Sequence, residues 1–230
     1  ARKEMGRAMA QESPVDVDLV VPVPDSGVVS AMGFAEESGI PFEMALIRNH
    51  YVGRTFIEPQ SQIRNFGVKL KLNAVKKLIK GKRLAIIDDS IVRGTTSEQI
   101  IEMARDSGAN KVYMVSAAPE VRFPNVYGID MPMASELVAN GRTIEEVRND
   151  IGADFLIFQE LQDLIESVRA GNPAIKDFES SCFSGRYITG DVTSEYLQSL
   201  DDGRQIGKVS HPTNALDLTE VGPIAESELK

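Results

Sequence analysis

Two adjacent carboxylates, Asp88 and Asp89, close an apolar run Leu84-Ala85-Ile86-Ile87. Ser90-Ile91-Val92-Arg93 then leads to Gly94 and the pair Thr95-Thr96. Acidic groups at the carboxyl end of a buried strand suit sugar hydroxyls or a hydrated divalent cation, and free backbone N–H groups at a helix N-terminus suit a phosphate. A sugar phosphate satisfies both. Thr95 with Glu98, and Thr96 with Gln99, have capping-box spacing and predict a helix start. Gly94 lets the loop backbone approach a ligand. The strand is expected to end at the carboxylates because such groups are rarely buried unpaired. Pro24-Asp25-Ser26-Gly27 repeats the strand-to-helix geometry. It reads either as a second phosphate cradle or as a plain turn capped by Asp25 or Ser26.

The elements that must position these residues alternate. Strands are predicted over 18–24, 42–47, 83–88, 111–117 and 154–158. Helices are predicted over 1–12 (with Met5, Ala8 and Met9 on one side), 28–37, 69–79, 97–107, 143–151 and 161–169. Short apolar strands alternating with helices imply a parallel sheet covered on both faces. Residues 48–68 form a polar stretch too long for a simple connector, and loops of that length act as lids or binding loops. Beyond about Leu200 the chain reads as an exposed tail with helical tendency.

Residues 48–83 hold ten Lys or Arg against one acid, Glu58, in a chain of net charge −9. That pattern places a polyanion ligand at one locality and argues against a broad nucleic-acid surface. Lys76, Lys77, Lys80 and Lys82 fit the solvated face of a helix. Arg48, Arg54, Lys69 and Lys71 are left over from that explanation. The single cysteine, Cys182, excludes an intrachain disulfide framework and fits a reducing compartment, with cytoplasm the default. No apolar run approaches a membrane span. His50 and His211 lack partners at metal-ligand spacing.

The run Ile86-Ile87-Asp88-Asp89-Ser90-Ile91-Val92-Arg93-Gly94-Thr95-Thr96 resembles the phosphoribosyl pyrophosphate (PRPP) motif of type I phosphoribosyltransferases, in the form found in the glutamine PRPP amidotransferase family. Val23-Pro24-Asp25-Ser26-Gly27, Tyr51-Val52-Gly53-Arg54-Thr55-Phe56-Ile57, Lys71-Leu72-Asn73-Ala74 and Phe123 to Pro132 match the same family in its order. The resemblance covers roughly residues 1–200 and implies an α/β type I phosphoribosyltransferase fold. That fold has a mostly parallel central sheet with helices on both faces and a long flexible lid loop. A tail follows over 201–230, and the family's N-terminal glutaminase domain is absent.

By this resemblance Asp88 and Asp89 bind the ribose hydroxyls, and Ser90, Ile91, Val92, Arg93, Gly94, Thr95 and Thr96 wrap the 5′-phosphate. Asp25, Ser26 and Gly27, with Lys71 and Arg54, meet the pyrophosphate, while Tyr51 and Ile57 belong to the lid. The catalytic set implied is Asp88, Asp89, Lys71, Tyr51 and Arg54. Mg²⁺ is the implied cofactor, facing Asp88, Asp89 and Ser26. Some members carry an iron–sulfur cluster, but here Glu179 replaces one expected cysteine and Asn125 occupies another ligand position, so no iron–sulfur cluster is expected. The implied reaction partners are PRPP and ammonia, the latter drawn from glutamine by the glutaminase domain of an intact enzyme. Purine nucleotides are expected as feedback inhibitors and a homo-oligomer as the assembly, with no nucleic acid and no membrane. The alternatives are a salvage phosphoribosyltransferase acting on a purine or pyrimidine base, and a non-catalytic PRPP-sensing regulator.

Overall fold

The computed structural model describes residues 1–49, 72–127, 133–193 and 195–199. The chain divides into a unit over Ala1–Asp191 and a second over Val192–Lys230. In the second, residues 195–199 are helical.

The first unit is built on β1 (Leu19–Pro22), β2 (Leu46–Arg48), β3 (Leu72–Ala74), β4 (Arg83–Asp88), β5 (Lys111–Ser116) and β6 (Phe155–Phe158). Its helices are α1 (Arg2–Glu12), α2 (Val28–Ser38), α3 (Lys76–Ile79), α4 (Thr95–Asp106), α5 (Ile144–Ile151), α6 (Leu161–Arg169) and α7 (Ser181–Ser184). The central sheet has the order β1-β4-β5-β6, and every pairing in it is parallel. Alternation along the strands divides the core. Leu19, Val21, Leu84, Ile86, Val112 and Met114 face Ile100, Ile101 and Ala104 of α4 and Val147 and Ile151 of α5. Val20, Ala85, Ile87 and Val115 face Met9 and Ala10 of α1 and Ala31, Phe34 and Ala35 of α2. A strand buried on both faces needs apolar residues at every position, which is why Leu84–Ile87 reads as an unbroken apolar run. Each such side chain contributes roughly 1.5–3 kcal/mol by leaving water.

Several expected elements differ. The strand over 42–47 does not join the central sheet as a whole. Only Phe42 lies beside β1, where the Val20 N–H donates to Pro41 O (2.8 Å) and the Glu43 N–H donates to Val20 O (3.1 Å). The chain then leaves to form β2, antiparallel to β3 in a separate two-stranded sheet. Of the helix expected over 69–79, the described residues from Leu72 on form β3 and the single turn α3 instead. Leu46 and Leu72 are both buried, and the strands pair Leu46 with Ala74 and Arg48 with Leu72; such a tertiary pairing overrides local helical preference. In α1 the buried stripe is Gly6, Met9 and Ala10, in place of Met5, Ala8 and Met9. Among the described residues, no helix is long and apolar enough to cross a membrane.

Gly6 explains that shift, because α1 and α2 touch backbone to backbone. A Cβ on Gly6 would lie 1.9 Å from Ser30 O, and one on Gly33 would lie 2.0 Å from Lys3 O. α2 rises directly from the turn at 24–27, so this crossing fixes the turn. Gly33→Ala is expected to destabilise the fold by about 2–3 kcal/mol through overpacking, read as a lower urea midpoint at unchanged slope. A midpoint equal to wild type would show that the helices separate freely.

Candidate functional site

β1 connects through α2 to Phe42 on one side of β1, whereas β4 lies on its other side. The strand order therefore reverses between β1 and β4, and α2 and α4 cover opposite faces. Ligands of open α/β sheets bind in the crevice at the carboxyl ends of the strands at such a reversal. Both turns singled out from the sequence open here. The register Pro22↔Ile87 makes the strand ends level, and Asp18 holds it at the far end. Its carboxylate accepts from the Arg83 N–H (2.8 Å) and from the Arg83 guanidinium (2.8 Å).

The two turns are in direct contact. The Val23 N–H donates to Ile87 O (2.8 Å), and the Gly27 N–H donates to Val23 O (3.0 Å). A Cβ on Gly27 would lie 2.3 Å from Ile87 O. Glycine here is a requirement of close approach, since its φ of −76° suits any residue. Gly27 is also the N-cap of α2 and makes no side-chain cap hydrogen bond, so the alternative of an Asp25 or Ser26 cap is corrected. Asp25 is exposed and receives the Arg48 guanidinium at 2.5 Å. Arg48 was singled out as an unexplained cation but not placed in the site; β2 brings it there. Arg2 also reaches this turn, its guanidinium 3.5 Å from Ser26 O.

Asp88 departs from expectation. It ends β4, as expected, yet it is only 6% exposed, where the rarity of unpaired buried carboxylates predicts an open group. Burial, then the neighbouring Asp89 charge, pushes its carboxyl up to about 8, against a hydrogen bond from the Asp89 N–H to Asp88 Oδ1 (2.8 Å) that favours the ionised form. Protonation is how an acid tolerates such a place. Asp89 is exposed and Ser90 half-buried. The pair thus presents one buried acid and one open carboxylate at the mouth of the crevice.

The loop that follows is held from behind. Gly94 is the N-cap of α4 with φ of 79°, a left-handed conformation that glycine adopts without penalty. A Cβ there would meet Val138 Cγ2 at 3.1 Å and Ile151 Cγ2 at 3.2 Å. The glycine therefore serves packing against the protein as well as the left-handed turn. Thr95 and Thr96 begin the helix as exposed residues, and neither expected capping box forms, because α4 has no side-chain cap. Their hydroxyls and the first N–H groups of α4 are thereby left for a ligand. The reciprocal box appears at α5, between Thr143 and Glu146. Tyr51, Arg54, Lys71, Ile57 and the expected lid from residue 50 to 68 lie outside the described residues, while Arg48 at its start belongs to β2. Among the described residues, no three of Asp, Glu, His and Cys converge as a metal site.

At the other expected landmark, Glu179 accepts from the backbone N–H groups of Ser181 (2.8 Å) and Ile188 (3.1 Å), and Asn125 Nδ2 donates to Ser181 Oγ (2.6 Å). The thiol of Cys182 is half-buried and pushed up by that burial.

No protein-family model matches the chain. Curated relatives do. An amidophosphoribosyltransferase of Escherichia coli K12 is 54% identical over 199 residues, covering 86% of this chain and 39% of the relative. One from Haemophilus influenzae is 50% identical over 201 residues, covering 86% of this chain and 40% of the relative. Among solved structures, one described as the allosteric regulatory enzyme of purine biosynthesis superposes with a TM-score of 0.71 at 41% identity, covering 86% of this chain and 43% of that one. The glutamine PRPP amidotransferase of Bacillus subtilis, complexed with ADP and GMP, gives 0.71 at 42% identity, covering 85% and 44%. The chain spans about two fifths of the length of the curated relatives it matches.

Proposed function

The chain is a homologue of the C-terminal part of the amidophosphoribosyltransferases, and from that premise we propose that it transfers an amino group from ammonia to C1 of PRPP. The C1–O bond to pyrophosphate breaks, a C1–N bond forms, and the nitrogen loses a proton, giving 5-phosphoribosylamine, the first committed step of purine synthesis. The observation that carries this reading is the contact of Gly27 with Ile87 O. It sets the turn at 24–27 directly against the end of β4 that carries the two acids, and the loop 90–96 continues from those acids.

Each part of the crevice has a task. Asp89 accepts hydrogen bonds from ribose hydroxyls; Asp88, protonated in the free protein, offers both a donor and an acceptor. The backbone of Ser90–Thr96 and the N-terminus of α4 hold the 5′-phosphate. Asp25, Ser26 and Gly27 hold the pyrophosphate, with Arg48 balancing the local acid; Lys71, Arg54 and Tyr51 complete the site by the family resemblance. Mg²⁺ fits this set of hard oxygen donors, with Ser26, Asp88 and Asp89 facing a cation carried mainly by the diphosphate and water, and it would neutralise charge on the leaving group. An iron–sulfur cluster does not fit. One thiol is present, and Glu179 is already engaged by two backbone N–H groups. A purine nucleotide's phosphate suits the same cradle, which supports feedback inhibition by such nucleotides.

Pyrophosphate release from PRPP with Mg²⁺ tests the reading. Ammonium is expected to support turnover by the 230-residue chain and glutamine is not, because its one thiol, Cys182, is half-buried and burial pushes it up, away from the nucleophilic thiolate. Free purine or pyrimidine bases are expected to be inert. Base-dependent turnover would establish a salvage enzyme instead. Glutamine-dependent turnover would place a glutaminase within these residues.

A further inference from the structure

Resting on the proposed PRPP reading, we infer that Glu136 is a positioning residue for the phosphate-binding loop, acting through Arg93. Three consecutive loop residues are held by one short segment 43 or so residues later in the chain. The Arg93 guanidinium turns away from the cradle and donates to Glu136 Oε2 from Nη2 (3.1 Å) and Nε (3.3 Å). Val92 O accepts from the Val138 N–H (2.9 Å). A Cβ on Gly94 would press on Val138 Cγ2 and Ile151 Cγ2 at 3.1 and 3.2 Å. Glu136 ends a single 3₁₀ turn, Ala134–Glu136, which supplies all but the Ile151 contact together with the residues just after it.

The sequence places a cation in the middle of a loop built to receive a phosphate. The structure uses that cation as an anchor. With its side chain tied back, residue 93 contributes backbone to the cradle, and the N–H groups of the loop keep one arrangement. Preorganised donors bind an anion without the cost of ordering them at the moment of binding. Arg93 and Glu136 are about a third exposed, so the direct worth of the ion pair is screened, and its consequence lies in the geometry it maintains.

Calorimetric titration of the 230-residue chain with ribose 5-phosphate and, separately, with Mg²⁺-pyrophosphate tests this. The second ligand engages the Asp25–Gly27 turn and does not need residues 92–94. Glu136→Gln is expected to weaken ribose 5-phosphate binding about three- to tenfold while leaving pyrophosphate within about twofold of wild type. Arg93→Gln is expected to match it, and the double variant to be no worse than either single change, as for residues acting as one unit. Unchanged or tighter ribose 5-phosphate binding by Glu136→Gln would overturn the inference, the tighter case meaning that Arg93 swings onto the phosphate. A parallel loss of both ligands would also overturn it, as a general loss of structure. A wild-type chain that binds neither ligand would overturn the proposed function and this inference with it.

Discussion

Replacing both acids, Asp88→Asn with Asp89→Asn, is expected to lower PRPP turnover by at least about a hundredfold while the protein stays folded. A charge-assisted hydrogen bond to Asp89 is worth roughly 1.5–3 kcal/mol and a lost partner at buried Asp88 roughly another 1–3 kcal/mol, and the two together reach about that factor. The structure separates the two acids. Asp88 is buried with its carboxyl raised to about 8, while Asp89 is exposed. An acid whose folded value lies above its unfolded value of about 4 keeps its proton in the folded state while the unfolded chain has lost it. The folded state then binds more protons between about pH 4 and pH 8, so wild-type stability falls as pH rises through that window. Asparagine has no proton to lose. Asp88→Asn is therefore expected to gain stability relative to wild type as pH rises from 4 to 8, by up to a few kcal/mol, while losing activity throughout. Asp89→Asn alone is expected to lose activity without that pH-dependent gain. Urea unfolding at several pH values, beside pyrophosphate-release rates, distinguishes these cases. A folded double variant with near-normal turnover would remove the acids from the ribose site. A stability difference for Asp88→Asn independent of pH would mean that the acid is ionised in its pocket.

The sheet and the acid-bearing loop were legible because local pattern and tertiary role agree there. Leu84–Ile87 is apolar at every position since both faces are covered, and the strand ends where the chain must turn into α4. What could not be read depends on distant partners. β3 is fixed by its pairing with Leu46–Arg48, more than twenty residues earlier, while its own Leu-Asn-Ala sequence is neutral between strand and helix. Arg48 looked like one cation in a basic run; only β2 brings it to Asp25. Gly94 stands out in the sequence, but its neighbours Val138 and Ile151 lie more than forty residues later, and nothing local to Gly94 points to them. Burial of Asp88 ran against a sound rule about unpaired carboxylates. The rule bends where burial raises the carboxyl and so favours its neutral form, and such exceptions concentrate at functional sites.

Gly27→Ala is the smallest change expected to abolish the crevice. Gly27 has an ordinary right-handed conformation, with φ of −76° and ψ of −14°, so alanine loses nothing in backbone preference and gains slightly in the unfolded state. Sterics alone decide. The added methyl would lie 2.3 Å from Ile87 O and 3.0 Å from Val23 O, both backbone atoms that no rotamer change can move. Relief requires α2 to shift away from the end of β4, yet α2 is held against α1 where Gly33 meets Lys3 O. The pyrophosphate turn must separate from the acids or the fold must strain, at a cost of about 3 kcal/mol. Pyrophosphate affinity and PRPP turnover are expected to fall at least about a hundredfold, since misplacement of about 1 Å at a positioning group costs that much. Gly39→Ala provides the contrast. It sits at the other end of α2 with φ of 70° and open space around it, so it is expected to cost about 1 kcal/mol of stability through left-handed strain and to leave ligand affinity intact. If Gly27→Ala folds with wild-type stability and binds Mg²⁺-pyrophosphate normally, the contact between the two turns does not shape the site, and the crevice between β1 and β4 loses its claim to the substrate.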